Sequence, residues 1–286
     1  MKIKRIILII VILTLPALAL KYSTNPSHTG LEVYFLDVGQ GDAVLIRTST
    51  GKNILIDGGP DNSILEKLGR ILPYTDRKID VIILTHPHAD HLIGLNAILD
   101  RYLVNTVIYT GVNYQNNDYH YFQEIAQQKA STIFLAKAGD YLNLDDGCQL
   151  NILFPFSNIS EQDFKNINNS SIVSELSCAT EKILLMGDAE TPVEKELMAN
   201  YPDLQAKILK LGHHGSKTAS SPGFIEQVNP DLAIISVGKD NKYNLPSPEV
   251  LDRLQELELK VIRTDVDKDL KIWLKDDGIY YKKPYF

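Results

Sequence analysis

Residues 85–91 read Thr-His-Pro-His-Ala-Asp-His and follow directly on the apolar run Val81-Ile82-Ile83-Leu84. Val81 to Thr85 is short, β-branched and apolar, the pattern of a buried strand, and Pro87 keeps the residue before it extended. His86 and His88 therefore project to one side. Asp90 and His91 open the amphipathic run Leu92, Leu95, Ile98, Leu99, so they occupy the first turn of a helix and face back toward the same point. Three imidazoles and a carboxylate converging at the end of a strand are unfavourable near a core unless something pairs them, and a metal ion suits this set. The chain holds seven histidines in 286 residues, so three of them within six positions mark a site rather than a scatter of polar residues.

With 44% hydrophobic residues the chain can bury a large core, and no internal repeat or low-complexity block interrupts it. Lys2, Lys4 and Arg5 precede the apolar run Ile6 to Leu15, and Pro16-Ala17-Leu18-Ala19 supplies small residues where a signal peptidase reads. The expected organisation is a cleaved signal peptide over 1–19, a linker over 20–30 and one domain over 31–286. The run is short for a membrane span, so export to the periplasm or exterior, with no stable span after cleavage, is the expectation. His28 falls in the linker and reads as solvent-exposed. Loss of the three N-terminal cations would take the formal charge from −7 to −10, which argues against a surface that coats nucleic acid, though not against a phosphate held by metal ions. The composition says nothing about oligomeric state.

Leu31 to Val38, Ala43 to Thr48 and Asn53 to Ile56 read as a β-meander, with Gly39-Gln40-Gly41 as a tight turn. Further strands are expected at Val104–Tyr109, Thr132–Leu135, Leu150–Phe154, Ile172–Leu176, Lys182–Met186, Ala206–Leu211, Leu232–Val237, Val261–Thr264, Leu270–Leu274 and Ile279–Tyr281. Helices are expected at Tyr119–Ala130, from Thr191-Pro192 onward, and at Pro248–Leu257. Tyr109 to His120 reads as a rim, in which Tyr114, Tyr119 and Tyr121 could stack on a ring but more simply pack. His120 is a ligand candidate only if this rim folds over the site. Cys148 and Cys178 are too few for a disulfide framework and read as separate buried small hydrophobes, although an exported chain could join them.

The pattern His-x-His-x-Asp-His, entered from a strand and left by a helix, resembles the signature of the metallo-β-lactamase superfamily. More narrowly the chain resembles the hydrolase domain of the ComEC family of competence (DNA-uptake) proteins, through Phe35-Leu36-Asp37-Val38-Gly39-Gln40-Gly41-Asp42-Ala43, Leu55-Ile56-Asp57-Gly58-Gly59, Asn168-Asn169-Ser170-Ser171, Met186-Gly187-Asp188 and His213-His214-Gly215-Ser216. These matches keep the family's order and cover about residues 31–275. The resemblance implies an α/β fold, a four-layer α/β/β/α sandwich with metals in a cleft at one edge.

It also implies that His86, His88, Asp90, His91, Asp188 and His213 hold one or two divalent ions, Zn²⁺ or Mn²⁺. A water bound there would attack the substrate. Asp90 and His214 would be catalytic, Asp90 as a proton relay. Asn169, Ser170, Ser216 and Lys217 would contact a substrate anion, and Asp42 and Asp57 would support the ligands. No histidine lies between His120 and His213, where most members place one; Asn168 to Ser171 stand there instead, which shifts one nitrogen site toward oxygen donors and favours a harder ion such as Mn²⁺ or leaves one zinc position weak. The implied activity is a phosphodiesterase or nuclease, with a phosphodiester such as DNA as substrate. Hydrolysis of a lactone, β-lactam or thioester is one alternative. A non-catalytic DNA-binding or channel-accessory role is another.

Overall fold

The alternation along the first strand already sets two layers. In β1 (Leu31–Phe35), Val33 and Phe35 enter one apolar cluster while Tyr34, followed by Leu36, enters another, so the strand is buried on both faces. The computed structural model describes residues 30–145, 147–275 and 278–283; the expected signal peptide and all of the expected linker except Gly30 lie outside them.

The chain continues through β2 (Val44–Arg47), β3 (Asn53–Ile56), β4 (Lys78–Ile83), β5 (Leu103–Tyr109) and β6 (Thr132–Leu135), then crosses to a second sheet through β7 (Tyr141–Asn143), β8 (Cys148–Phe154), β9 (Val173–Cys178), β10 (Glu181–Leu185), β11 (Ile208–Lys210), β12 (Leu232–Ile235) and β13 (Lys260–Arg263). It returns to the first sheet as β14 (Leu270–Lys275) and β15 (Gly278–Lys282). The sheet orders are β15-β14-β1-β2-β3-β4-β5-β6 and β13-β12-β11-β10-β9-β8-β7. Each sheet is antiparallel on one side and parallel on the other, with β3, β4, β5 and β6 parallel in the first and β10 to β13 parallel in the second.

Val33, Ile46 and Ile54 of the first sheet meet Leu150, Leu176, Ile183 and Ile234 of the second in the central core. On the outer face of the first sheet lie α1 (Ser63–Ile71), α2 (Ala89–Arg101) and α3 (Asn117–Lys129), which bury Leu68, Leu95 and Phe122. On the outer face of the second lie α4 (Thr191–Asn200), α5 (Pro222–Val228) and α6 (Pro248–Glu256), through Leu197, Phe224 and Leu254. Each such fully buried side chain contributes about 1.5–3 kcal/mol from the water-excluded apolar area. The result is the expected four-layer α/β/β/α sandwich. Among the described residues no helix is long and apolar enough to cross a membrane.

Several local expectations are corrected. The helices α1 and α5 and the short strand β7 are not among the expected elements. Thr264 opens a short helix, α7 (Thr264–Asp267), instead of closing a strand. Cys148 and Cys178 are not separate thiols: they face each other in the register of β8 against β9, with Cα atoms 4.3 Å apart, and form a disulfide. Cross-strand pairing brings them within reach, and a register of this kind is invisible in two isolated cysteines.

Candidate metal centre

The loops that leave the carboxyl ends of the parallel strands gather at one edge of the sandwich, the crevice position in which open α/β sheets hold ligands. After β4 the chain passes through His86 and Pro87 to the extended His88, whose carbonyl accepts the first helical amides of α2, from His91 and Leu92. After β10 comes Gly187-Asp188, and after β11 the turn Gly212–Gly215, in which His213 (φ 48°) and His214 (φ 54°) are both left-handed. Two non-glycine residues in that region is a strained arrangement of the kind that collects at functional sites. Gly41 (φ 142°) lies so close to the Asp90 carbonyl that a Cβ there would sit 2.1 Å from its oxygen. The Asp42 amide also donates to that carbonyl at 3.2 Å. Glycine at this position thus lets the first turn of the sheet support the metal motif.

Three imidazoles share one arrangement. His91 Nδ1 lies 2.7 Å from Asp57 Oδ2, His214 Nδ1 lies 2.9 Å from the Ser236 carbonyl, and His86 Nδ1 lies 3.2 Å from Thr85 Oγ1, itself a donor to Asp57 Oδ2 at 2.7 Å. In each ring the oxygen partner can accept a hydrogen bond from Nδ1–H, so that in the neutral form the Nε2 lone pair faces the cluster. All three Nε2 atoms are buried with no hydrogen-bond partner, as is Asp188 Oδ1. Asp188 Oδ2 lies 3.3 Å from His91 Nε2, 3.3 Å from His214 Nε2 and 3.8 Å from His86 Nε2. Asp90 Oδ2 lies 3.2 Å from His214 Nε2. Asp90, His91, Asp188 and His214 can offer one atom each within 4.8 Å of one another. Buried nitrogen and oxygen donors orphaned around one point fit a divalent cation.

The electrostatics mark a site whose buried carboxylates call for positive charge, supplied by protons on His91 and His214 where no cation is bound. Burial, reinforced by the neighbouring His91 and His88, holds the His86 imidazole well below its usual range and therefore neutral. Burial also lowers His88. Burial would raise Asp188 and Asp90, but the charges and hydrogen bonds of His214 and His91 outweigh it and keep both carboxylates low. Burial would lower His91 and His214, yet the surrounding carboxylates, Asp188 first, lift both well above the usual imidazole range.

The expected residues do not all meet. His86, His88, Asp90, His91 and Asp188 converge. Of the paired histidines it is His214, not His213, that joins them: the left-handed turn buries His214 and directs His213 outward, 27% exposed, with Nδ1 3.0 Å from Glu190 Oε1. His214 thus sits within the donor cluster and His213 on the cavity wall. Asp57 accepts from His91 and from the backbone and hydroxyl of Thr85, while Asp42 pairs with Lys210 and lies 3.5 Å from His214 Nδ1. Ser216 lines the adjoining cavity, but Asn169, Ser170 and Lys217 do not. The side chains of the first two are engaged elsewhere. Asn169 Oδ1 accepts the Glu190 amide, the buried Ser170 hydroxyl donates to the Ile167 carbonyl, and Lys217 is exposed. His120 is exposed on α3, away from the cavity.

That cavity, about 450 Å³, opens over the cluster and is lined by His88, Asp90, Asp188, His213, His214 and Ser216, with Gln40, Tyr114, Asn116, Tyr243 and Leu245 around them. Lys210 escaped the sequence reading; it is 1% exposed, ion-paired with Asp42 and bonded to the Gly187 carbonyl at 3.0 Å. Its signal was a lysine inside the apolar run Ile208-Leu209-Lys210-Leu211. Glu190, two residues after Asp188, is another such residue; it accepts from Asn166 and Asn168 and lies 3.0 Å from His213 Nδ1.

Residues 36–239 match the model of the metallo-beta-lactamase superfamily. The chain is 33% identical over 252 residues to ComE operon protein 3 of Bacillus subtilis, covering 82% of this chain and 32% of that protein. It is 32% identical over 270 residues to Recombination protein 2 of Haemophilus influenzae, covering 92% and 31%. The chain thus spans about a third of the length of these curated relatives. Its fold is similar to the metallo-beta-lactamase fold protein YhfI of Bacillus subtilis, at 11% identity and a TM-score of 0.55, over 88% of this chain and 100% of that one.

Proposed function

Because the chain belongs to the metallo-β-lactamase superfamily of metal-dependent hydrolases, we propose that it is an exported phosphodiesterase, a nuclease acting on DNA outside the cytoplasm. The observation that carries the reading is the set of orphaned donors, His86, His91 and His214 Nε2 with Asp188 Oδ1, opening into a cavity beside an ionised Asp90. A divalent ion held by these residues with His88 and Asp90 would activate water and stabilise the negative charge that develops on a phosphoryl oxygen. The choice of a phosphodiester rests on similarity to competence and recombination proteins; the donors, four imidazoles and two carboxylates, suit Zn²⁺ and admit a harder cation such as Mn²⁺.

The chain's own groups divide the work. Asp90, kept ionised and part-exposed, accepts a proton or hydrogen bond at the carboxylate oxygens that face the cavity. Ser216 offers a hydroxyl to a substrate oxygen from the cavity wall. His213 takes the cavity-facing place expected of His214, its ring oriented by Glu190. Asp57, Ser236 and Thr85 fix the ligand rings by holding their Nδ1 protons. Residues 31–286 act as one catalytic domain, behind a signal peptide over 1–19 and a linker over 20–30. The disulfide between Cys148 and Cys178 supports a destination outside the reducing cytoplasm.

The experiment is hydrolysis of bis-p-nitrophenyl phosphate and single-stranded DNA by the purified protein with Mn²⁺, Zn²⁺ or chelator. Metal-dependent cleavage of both, abolished in His88→Ala and Asp188→Ala variants that retain the fold, is expected. Rapid hydrolysis of nitrocefin with no phosphodiester cleavage would overturn the reading in favour of a cyclic-ester or lactam hydrolase.

A further inference from the structure

Beyond the metal cluster, the cavity wall is built from a loop that nothing in the hydrolytic chemistry requires. Residues 238–247 leave β12 and carry Tyr243, which is 57% exposed and lines the cavity together with Tyr114. The loop is pinned by one side chain. Asn241 Nδ2 donates to the carbonyls of Gly238 (2.9 Å) and Leu245 (2.7 Å), and Oδ1 accepts from the amides of Tyr243 (3.2 Å) and Leu245 (3.1 Å). Both ends are tied to the site. The Gly238 amide donates to Gln40 Oε1 at 3.2 Å, and the Ser247 amide donates to the carbonyl of Gly215, next to His214, at 2.9 Å. The aromatic ring is thus held outward by ordered structure.

The chemistry around that ring is that of a nucleotide. Lys242 Nζ sits 5.1 Å from the Tyr243 ring centroid, and Lys239 is exposed on the same loop. Asp240 lies between them, leaving a net charge of +1 on the loop in a chain that is acidic as a whole. Tyr114 packs edge-on against His88, with centroids 6.0 Å apart, so one aromatic wall adjoins a metal-motif histidine. Gln40, its side-chain carbonyl engaged by Gly238, also lines the cavity. An aromatic face beside an ammonium group matches a base next to a phosphate. A purely acyl substrate would use the rings but not the lysines.

We propose that Tyr243, with Tyr114 as the second wall, is a base-stacking platform that selects single-stranded nucleic acid by seating a nucleobase beside the scissile phosphodiester. The inference rests on the phosphodiesterase reading and adds to it the part of the substrate that is recognised. Stacking needs unpaired bases, so a duplex is a poor ligand.

The test compares a thymidine oligonucleotide with one of the same length carrying tetrahydrofuran abasic sites, for the native protein, Tyr243→Ala and Tyr243→Phe. The native protein and Tyr243→Phe are expected to favour the base-bearing strand in kcat/KM by about ten-fold, the scale of one base stack, with that ratio collapsing toward one in Tyr243→Ala. Binding of a 2-aminopurine oligonucleotide in the presence of chelator should quench its fluorescence in the first two proteins and not in the third. An unchanged ratio in Tyr243→Ala, with both strands still cut, would overturn the platform and leave the phosphodiesterase standing. A larger effect of Tyr243→Ala on an acyl ester than on either strand would also overturn it. Failure of the native protein to cut either strand with any metal would remove the phosphodiester reading, and this inference with it.

Discussion

His91 Nδ1 lies 2.7 Å from Asp57 Oδ2. Asp57, left-handed at φ 58° and fully buried, holds this ring so that its other nitrogen faces Asp188. Burial raises the Asp57 carboxyl, a shift only partly offset by the His91 charge and the Thr85 amide; in exchange His91 is locked in one tautomer. Replacing Asp57 by Asn preserves the volume but weakens the acceptor. Metal affinity is expected to fall by about 10–100-fold, the range for losing such a supporting partner. Isothermal titration with Mn²⁺ or Zn²⁺ measures it, and an unaltered affinity would reduce Asp57 to a packing role.

The division between the paired histidines is directly testable. His214→Ala removes a donor from the buried cluster and is expected to lower the number or affinity of bound ions, read by elemental analysis after dialysis. His213→Ala should retain the metal and lose turnover. The reverse pattern would restore the reading made from the sequence.

Lys210 and Asp42 form a buried ion pair beneath the ligands. Burial would raise Asp42, and the Lys210 charge together with the His214 hydrogen bond brings it below its ordinary value. Lys210→Met removes the nearest cation from that buried carboxylate and is expected to destabilise the fold by about 3 kcal/mol in denaturant melts. The double variant Lys210→Met/Asp42→Asn should recover part of the loss. A wild-type melting curve for the single variant would show that the carboxylate finds another partner.

Metal-free protein should show a defined pH dependence. Asp188 is depressed below its ordinary 3.8, so its contribution is present above that value and lost as pH falls toward the folded pKa. His91 and His214 are raised above 6.5, so theirs is complete below 6.5 and lost as pH rises through the folded values. The lowered His86 and His88 act in the opposite sense and cost stability as pH falls below 6.5, so the apo-protein's Tm is expected to be highest at about pH 6 to 6.5 and to decline on the alkaline side. Added metal should shift the optimum upward, because ligand binding requires neutral imidazoles. An apo-protein Tm that climbs steadily from pH 6 to 9 would contradict these pairings.

The disulfide closes a loop with a sequence separation of 30 residues, for which loop-closure entropy gives about 3–4 kcal/mol. Cys148→Ala/Cys178→Ala or reduction should lower stability on that scale, measured by urea unfolding. A shift under 1 kcal/mol would mean that the β8–β9 register is fixed by its ladder alone.

What the sequence determined by itself were the features written in local chemistry. The strand before His86, the first-turn positions of Asp90 and His91, and the Gly-Asp at the end of β10 follow from short-range periodicity and turn residues. So does most of the strand list, because apolar runs of four to seven residues must be buried wherever they go. Tertiary structure decided what depends on distant segments meeting. Which of His213 and His214 turns inward is set by two left-handed residues closing against Ser236 and Glu190. Lys210 finds Asp42 across 168 positions of sequence, and Cys148 meets Cys178 only through strand register. Asn169 and Ser170, polar and adjacent to the right motif, spend their hydrogen bonds on Glu190 and Ile167. The reason is common to all of these: the sequence states which groups must be paired, whereas the pairing itself is a three-dimensional choice among partners of similar chemistry.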